Sequence, residues 1–202
     1  VLAAGAGRRM GHDENKIFIK LGNKSIIQLT LSHIEQVKAV SEVILVVADG
    51  EAAYMKQHIA SLGLSKSIKI ITGGKERQDS VYAGLQAVSD DMDIVLVHDG
   101  ARPLAKPELF KSVIEGAKTH GAVTIGVPST DTIKRVDIDG QVLETLNRNE
   151  LMNIQTPQGF LKDIFKEAQE TAKRDAYLGT ADVSLVEYIG KDVYIFDGEY
   201  EN

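Results

Sequence analysis

The chain contains no cysteine among its 202 residues. That excludes disulfides, thiolate metal sites and cysteine nucleophiles, and it fits a reducing, cytoplasmic setting. No apolar run approaches the ~20 residues that cross a bilayer, and no charged segment followed by a short apolar one marks a secretion signal. Basic residues are the minority, 23 Lys and Arg against 29 Asp and Glu for a net charge of −6, so neither a membrane surface nor a nucleic acid is an expected partner. The histidines are scattered without metal-ligand spacing, and no Ser-His-Asp or Cys-His arrangement offers a nucleophile.

What remains is an ordinary globular composition, 43% hydrophobic and 26% charged, at a length that suits one domain and encloses a core without staples. The chain opens inside an apolar run with no initiator Met and stops at Glu199-Tyr200-Glu201-Asn202, so both ends are expected to be cut.

Apolar runs of strand length alternate with amphipathic stretches. Helical spacing runs from Ile26 to Val37, from about Glu51 to Leu62, from Gln78 to Val88 and from Pro107 to His120. Between these lie β-rich runs at Val43–Val47, Ile68–Ile71, Ile94–Val97 and Val123–Val127. Short continuous runs of this kind predict strands buried on both faces, and βα alternation predicts a mostly parallel sheet covered by helices. The pattern then changes: Thr132–Val136 and Gln141–Thr145 alternate around Asp139-Gly140, which predicts a hairpin. With little apolar material on one face, this ribbon reads as an arm lying on a partner subunit, with a local surface hairpin as the alternative. Helices are expected again from Leu161 to about Lys173 and from Asp182 to Ile189, and a strand from Val193 to Phe196.

Chemistry concentrates where strands end. The first apolar run breaks into Gly5-Ala6-Gly7, followed by Arg8, Arg9 and Lys16. Glycines let a backbone approach a ligand and turn its N–H groups onto phosphate oxygens, and cations close behind suit a polyanion whose charge grows during reaction. Neither common phosphate motif fits: Met10 stands where the dinucleotide fingerprint needs its third glycine, and the P-loop spacing is missing. A second cluster, Thr72-Gly73-Gly74 through Arg77 to Ser80, follows a strand and opens a helix. It offers hydroxyl and N–H donors and a planar cation at the same sheet edge. A third, His98-Asp99-Gly100-Ala101-Arg102-Pro103, places a carboxylate at a strand's end, a natural Mg²⁺ ligand beside phosphates. The plainer reading pairs Asp99 with Arg102 in a turn and packs His98. Asp131-Thr132, Arg148, Thr156-Pro157-Gln158 and Thr180-Ala181-Asp182 together suit a small phosphorylated polyol. Taken alone, each is ordinary loop chemistry, and Thr180 to Asp182 could simply cap the following helix. These clusters point to a nucleoside triphosphate and chemistry on its phosphates.

Taken together they resemble the 2-C-methyl-D-erythritol 4-phosphate cytidylyltransferases of the non-mevalonate isoprenoid pathway, over essentially the whole chain. Leu2-Ala-Ala-Gly-Ala-Gly-Arg-Arg-Met10 with Lys16 is similar to that family's opening loop, and Val97-His-Asp-Gly-Ala-Arg-Pro103 to its signature. The resemblance implies a Rossmann-like α/β nucleotidyltransferase fold of three layers, with a β-hairpin arm, residues 130–158, completing a homodimer. It implies that Ala3, Ala4, Gly5, Ala6, Gly7, Gly74, Arg77, Ser80 and Gly100 hold CTP, that Asp99 meets Mg²⁺, and that Arg9 and Lys16 act on the triphosphate. Thr132 and Arg148 would reach the polyol phosphate in the partner's site, with Thr156 and Thr180 approaching it from the body. Two departures stand out: Ala181 occupies the first of two usually acidic positions, and a lysine usual about two residues beyond Asn202 lies past the end of this sequence. Ribitol 5-phosphate is the nearest alternative substrate, and a molybdenum-cofactor guanylyltransferase is a poorer match. A catalytically silent nucleotide-binding module is the rival of a different class, and a nicotinamide oxidoreductase is weakened by Met10.

Overall fold

β-Branched runs and amphipathic stretches alternate as expected in the computed structural model, which describes residues 1–5 and 15–202. In chain order the elements are β1 (Leu2–Ala3), β2 (Lys20–Leu21), β3 (Lys24–Ser25), α1 (Ile26–Glu35), β4 (Glu42–Val47), α2 (Ala52–Ile59), β5 (Ser67–Thr72), α3 (Arg77–Gln86) and β6 (Ile94–Val97). There follow α4 (Pro107–His120), β7 (Ala122–Pro128), β8 (Lys134–Val136), β9 (Val142–Thr145), β10 (Met152–Leu161), α5 (Lys162–Arg174), α6 (Asp182–Tyr188) and β11 (Tyr194–Asp197).

The main strands form two sets. In the first, β5-β4-β1, every pairing is parallel. In the second, β11-β7-β10-β6, β11 is parallel to β7 while β10 runs antiparallel to both neighbours. The sets meet at Leu2, which lies parallel to Asp99. Its N–H donates to the His98 carbonyl at 2.8 Å, and its own carbonyl accepts the Gly100 N–H at 2.8 Å. β1 and β6 are therefore neighbours, and the ends of both point the same way.

Local signals explain the helices. The Ser25 hydroxyl accepts the Gln28 N–H at 3.4 Å while Gln28 Oε1 accepts the Ser25 N–H at 2.9 Å, a reciprocal cap that starts α1. Pro107 opens α4, and Gly121, at φ +86°, ends it where a side chain would be strained. One face of the sheet buries Ile27, Leu31, Leu45, Met55, Phe110 and Val113, and the other buries Val81, Leu85, Phe160, Phe165, Ala168 and Leu185. Phe160 and Phe165 stack at 4.1 Å. Each of these side chains larger than alanine contributes about 1.5–3 kcal/mol by leaving water.

The structure departs from expectation at β10. The stretch around Gln155-Thr156-Pro157-Gln158 reads as loop because proline and polar residues are poor central-strand material. Yet β10 is the longest strand among the described residues and lies between β6 and β7. Its register on β7 shifts between Gln155 and Gln158, so Thr156 and Pro157 sit at an irregularity outside the regular ladder. The expected arm of residues 130–158 therefore ends sooner, because its last part belongs to the main sheet. The hairpin itself is present: β8 pairs antiparallel with β9, and Gly140 takes φ +85° at the turn. Val136, Ile138, Val142 and Leu143 are exposed on it. Among the described residues, no helix is long and apolar enough to cross a membrane.

Candidate functional site

The ends of β1, β5 and β6 bring three loops to one rim. Ala3 is buried, Ala4 half-buried and Gly5 exposed as the chain leaves β1. Gly73, after β5, packs so tightly that a Cβ there would lie 2.6 Å from Ser80 Oγ and 3.0 Å from the Ala4 Cβ, so only glycine lets the second turn press onto the first. The Gly74 N–H donates to Ser80 Oγ at 3.1 Å, and the Ser80 hydroxyl donates to the Glu76 carbonyl at 3.2 Å. Ser80 is buried, and its hydroxyl shapes the glycine turn from behind. Gly100 is buried at the seam, where a Cβ would lie 3.0 Å from the Leu2 carbonyl oxygen.

Four charges join the loops. Arg77 places Nη1 2.7 Å from Asp182 Oδ2 and Nη2 3.3 Å from Asp99 Oδ1, while Arg102 Nε lies 3.4 Å from Asp99 Oδ2. Asp182, the first residue of α6, is only 2% exposed. Burial pushes its carboxyl up in pKa, against the pull of Arg77. Burial acts the same way on Asp99, but the Arg77 and Arg102 guanidiniums outweigh it and hold that carboxyl below its ordinary value. Asp99 thus does pair with Arg102, as the plainer reading had it.

Behind Asp99 lies a buried polar relay. The Asp99 N–H donates to Thr156 Oγ1 at 3.1 Å, and Thr156 Oγ1 lies 3.1 Å from His98 Nδ1. His98 packs edge-on against Phe110 at 4.8 Å, and burial lowers its pKa to about 3, so it is neutral at physiological pH. The Thr156 hydroxyl is committed inside the protein. The last residues fold against the same place: the Asn202 amide donates to the Thr156 carbonyl at 3.0 Å, and the Asn202 carbonyl accepts from Arg102 Nη1 at 2.9 Å.

Of the residues singled out from sequence, Ala3, Ala4, Gly74, Ser80, Arg77, Asp99, Gly100 and Thr156 come together at this rim. Lys16 is exposed and follows Asn15, whose Nδ2 donates to the Ala3 carbonyl at 3.0 Å at the end of β1. Ala6, Gly7 and Arg9 lie outside the described residues. Thr180 is exposed two residues ahead of Asp182 and does not cap α6. Ala181 holds the cap position, and its N–H donates to Ser184 Oγ at 3.0 Å. Thr132 and Arg148 are exposed on the arm, where Arg148 Nη1 donates to the Thr130 carbonyl at 3.3 Å. Among the described residues no hydrogen bond ties either one to the rim. Sequence reasoning gave Asn15 and His98 no site role, and it set Asp182 among the polyol-phosphate residues, whereas the structure pairs that carboxylate with Arg77. Each is a polar side chain whose role depends on being buried, which spacing does not report.

Among the described residues, no three His, Cys, Asp or Glu side chains gather as a metal cage. Asp99 offers one carboxylate, a third exposed at the strand end. That donor set suits Mg²⁺, which takes one or two carboxylates and completes its shell with phosphates and water.

A glycine turn held by a buried hydroxyl and a carboxylate between two arginines thus lie together at the ends of parallel strands, the edge where doubly wound α/β proteins bind their ligands. The family model described as IspD, 2-C-methyl-D-erythritol 4-phosphate cytidylyltransferase, matches residues 1–202, and the chain belongs to that family. It is 44% identical to the 2-C-methyl-D-erythritol 4-phosphate cytidylyltransferase of Pelotomaculum thermopropionicum, over 100% of this chain and 85% of the relative. It is 45% identical to that of Alkaliphilus metalliredigens, over 100% and 84%. Among solved structures it is similar to the 4-diphosphocytidyl-2C-methyl-D-erythritol synthase of Anaerococcus prevotii, with TM-score 0.89, 32% identity and coverage of 100% of this chain and 88% of the other.

Proposed function

We infer that this rim carries out the reaction of the family: cytidylyl transfer from CTP to 2-C-methyl-D-erythritol 4-phosphate, giving 4-diphosphocytidyl-2-C-methyl-D-erythritol and pyrophosphate. The observation that supports it most is the meeting of Ala4, Gly73 and Ser80 beside the Leu2–Asp99 seam, which gathers the loops of three strands around one place.

The substrate's phosphate oxygen attacks the α-phosphorus of CTP, a P–O bond forms, and the bond to the pyrophosphate oxygen breaks. A phosphate monoester loses its second proton near pH ~6, so the nucleophile needs no strong base. That agrees with a neutral, buried His98. The difficulty is bringing two anions together, so positioning and charge supply the rate. Ala3 to Gly7 would present backbone N–H groups to the nucleotide, with Gly74 and Ser80 bracing the turn beside them. Lys16 and Arg9 would meet the triphosphate. Asp99 would hold Mg²⁺, which when bound supplies charge neutralisation shared with the phosphates. Arg77, with Asp182 as its second partner, is placed to keep a carboxylate partner when Asp99 turns toward a cation. Thr132 and Arg148 would serve the active site of a second copy, which makes the working unit a homodimer, in the cytoplasm.

The test is pyrophosphate release with four nucleoside triphosphates and two polyol phosphates. CTP with methylerythritol phosphate should be the productive pair. Turnover of ribitol 5-phosphate instead would reassign the substrate, and tight CTP binding without release would reassign the class. Lys16→Ala should fold normally and lose on the order of 10²–10³ in turnover, as when one transition-state donor is removed. Near-normal turnover would remove Lys16 from the mechanism.

A further inference from the structure

We propose that Asn15 is a positioning residue for the transfer reaction, acting as a clasp that holds Lys16 at the rim. The proposal rests on the role given to Lys16 above. Asn15 is 7% exposed, Ile17 2%, and Lys16 between them is exposed. The lysine thus projects from a short segment fixed on both sides.

The fixing is done by one amide with three partners. Nδ2 donates to the Ala3 carbonyl at 3.0 Å and to Glu51 Oε2 at 3.2 Å, and Oδ1 accepts the Ile17 N–H at 3.4 Å. The first bond ties Asn15 to the end of β1, twelve residues away in sequence. The second ties that junction to the start of α2. The third caps the 3₁₀ turn Lys16–Phe18, which begins at Lys16 itself. Phe18 then packs edge-on against Tyr54 at 4.8 Å and His58 at 5.1 Å on α2, so the turn cannot swing about Asn15 without losing an aromatic contact.

An asparagine amide supplies two donors and an acceptor within one short side chain. Aspartate, of the same shape, has no donor when ionised and would set a second carboxylate against Glu51. Alanine leaves the Ala3 carbonyl and Glu51 without that amide. The chemistry needs this fixation because Lys16 is an exposed, long and flexible side chain. A cation that drifts by ~1 Å loses about 10²-fold of its effect on rate.

A double-mutant cycle separates this role from general support of the fold. Turnover at saturating CTP and methylerythritol phosphate is measured for wild type, Asn15→Asp, Lys16→Ala and the double variant, with CTP affinity and the melting temperature of each. Glu51→Ala, which removes one partner from outside the loop, is run in parallel in case either change at Asn15 prevents folding. The expected result is a ~10–10²-fold fall in kcat for Asn15→Asp, a smaller fall for Glu51→Ala, and no more than about a twofold further loss from either once Lys16 is alanine, because residues acting as a unit are not additive. Equal losses in both backgrounds would make Asn15 a structural residue and overturn the proposal, as would an unchanged kcat in Asn15→Asp and Glu51→Ala while Lys16→Ala is impaired. If Lys16→Ala itself turns over normally, the reading of Lys16 fails first and the clasp has nothing to position.

Discussion

His98 sits one residue from the carboxylate that draws attention in the sequence, and burial has set its chemistry. Its pKa falls from the ordinary 6.5 to about 3, because the folded protein cannot hydrate the imidazolium. Between those two values the unfolded chain takes up a proton that the folded chain refuses. The stability tied to His98 is therefore fully present above pH 6.5 and is lost as pH falls toward 3, at up to about 1.4 kcal/mol per pH unit. Asp99, whose pKa lies below its ordinary 3.8, adds to the loss only in more acidic solution. Urea midpoints at pH 7 and pH 5 should drop steeply for the wild type and much less for His98→Asn, and parallel slopes would mean that His98 is not the group titrating. Asp99 was legible in the sequence because a carboxylate at the end of an apolar run has few other uses. Asp182 read as a polyol-phosphate or helix-cap residue, because its pairing with Arg77 across more than a hundred residues leaves no local trace.

At the level of elements, the helices and parallel strands followed from periodicity, since α4 must bury one stripe and β4 both faces. β10 was hidden by its own chemistry. Gln155, Thr156 and Gln158 are buried, satisfied by Asn202, His98 and the Val183 N–H, so a segment written in polar residues behaves as a central strand. The hairpin β8–β9 was legible from Asp139-Gly140, and it exposes Val136, Ile138 and Leu143. Arg148, at the base of that arm, should mark the polyol phosphate. Arg148→Ala is expected to raise the KM for methylerythritol phosphate by about 10-fold or more, the loss of one charge-assisted contact, with the KM for CTP within about twofold. Mixing Arg148→Ala with Lys16→Ala should restore activity in heterodimers that carry one intact composite site. Confirmed subunit exchange without recovery would confine each site to one chain.

Across the whole molecule, the two strand sets meet at Leu2, and β1 ends one residue later, at Ala3, where the proposed nucleotide turn begins. Nucleotide should therefore brace the joint between the halves as well as occupy the rim. At a hundred times its Kd, CTP should add about 2.7 kcal/mol to the stability of the chain and raise its melting temperature by about 5–10 °C, while a nucleotide that does not bind leaves the melt unchanged. The same layout has a consequence during synthesis. β6 and β7 leave the ribosome before the strand that separates them, and the arm is made in between. For the roughly 1–5 s needed to translate residues 129–151, both edges that will flank β10 stay unpaired. In that interval another nascent chain can dock where β10 belongs. The length of the arm thus fixes how long each newborn molecule stays open to mispairing.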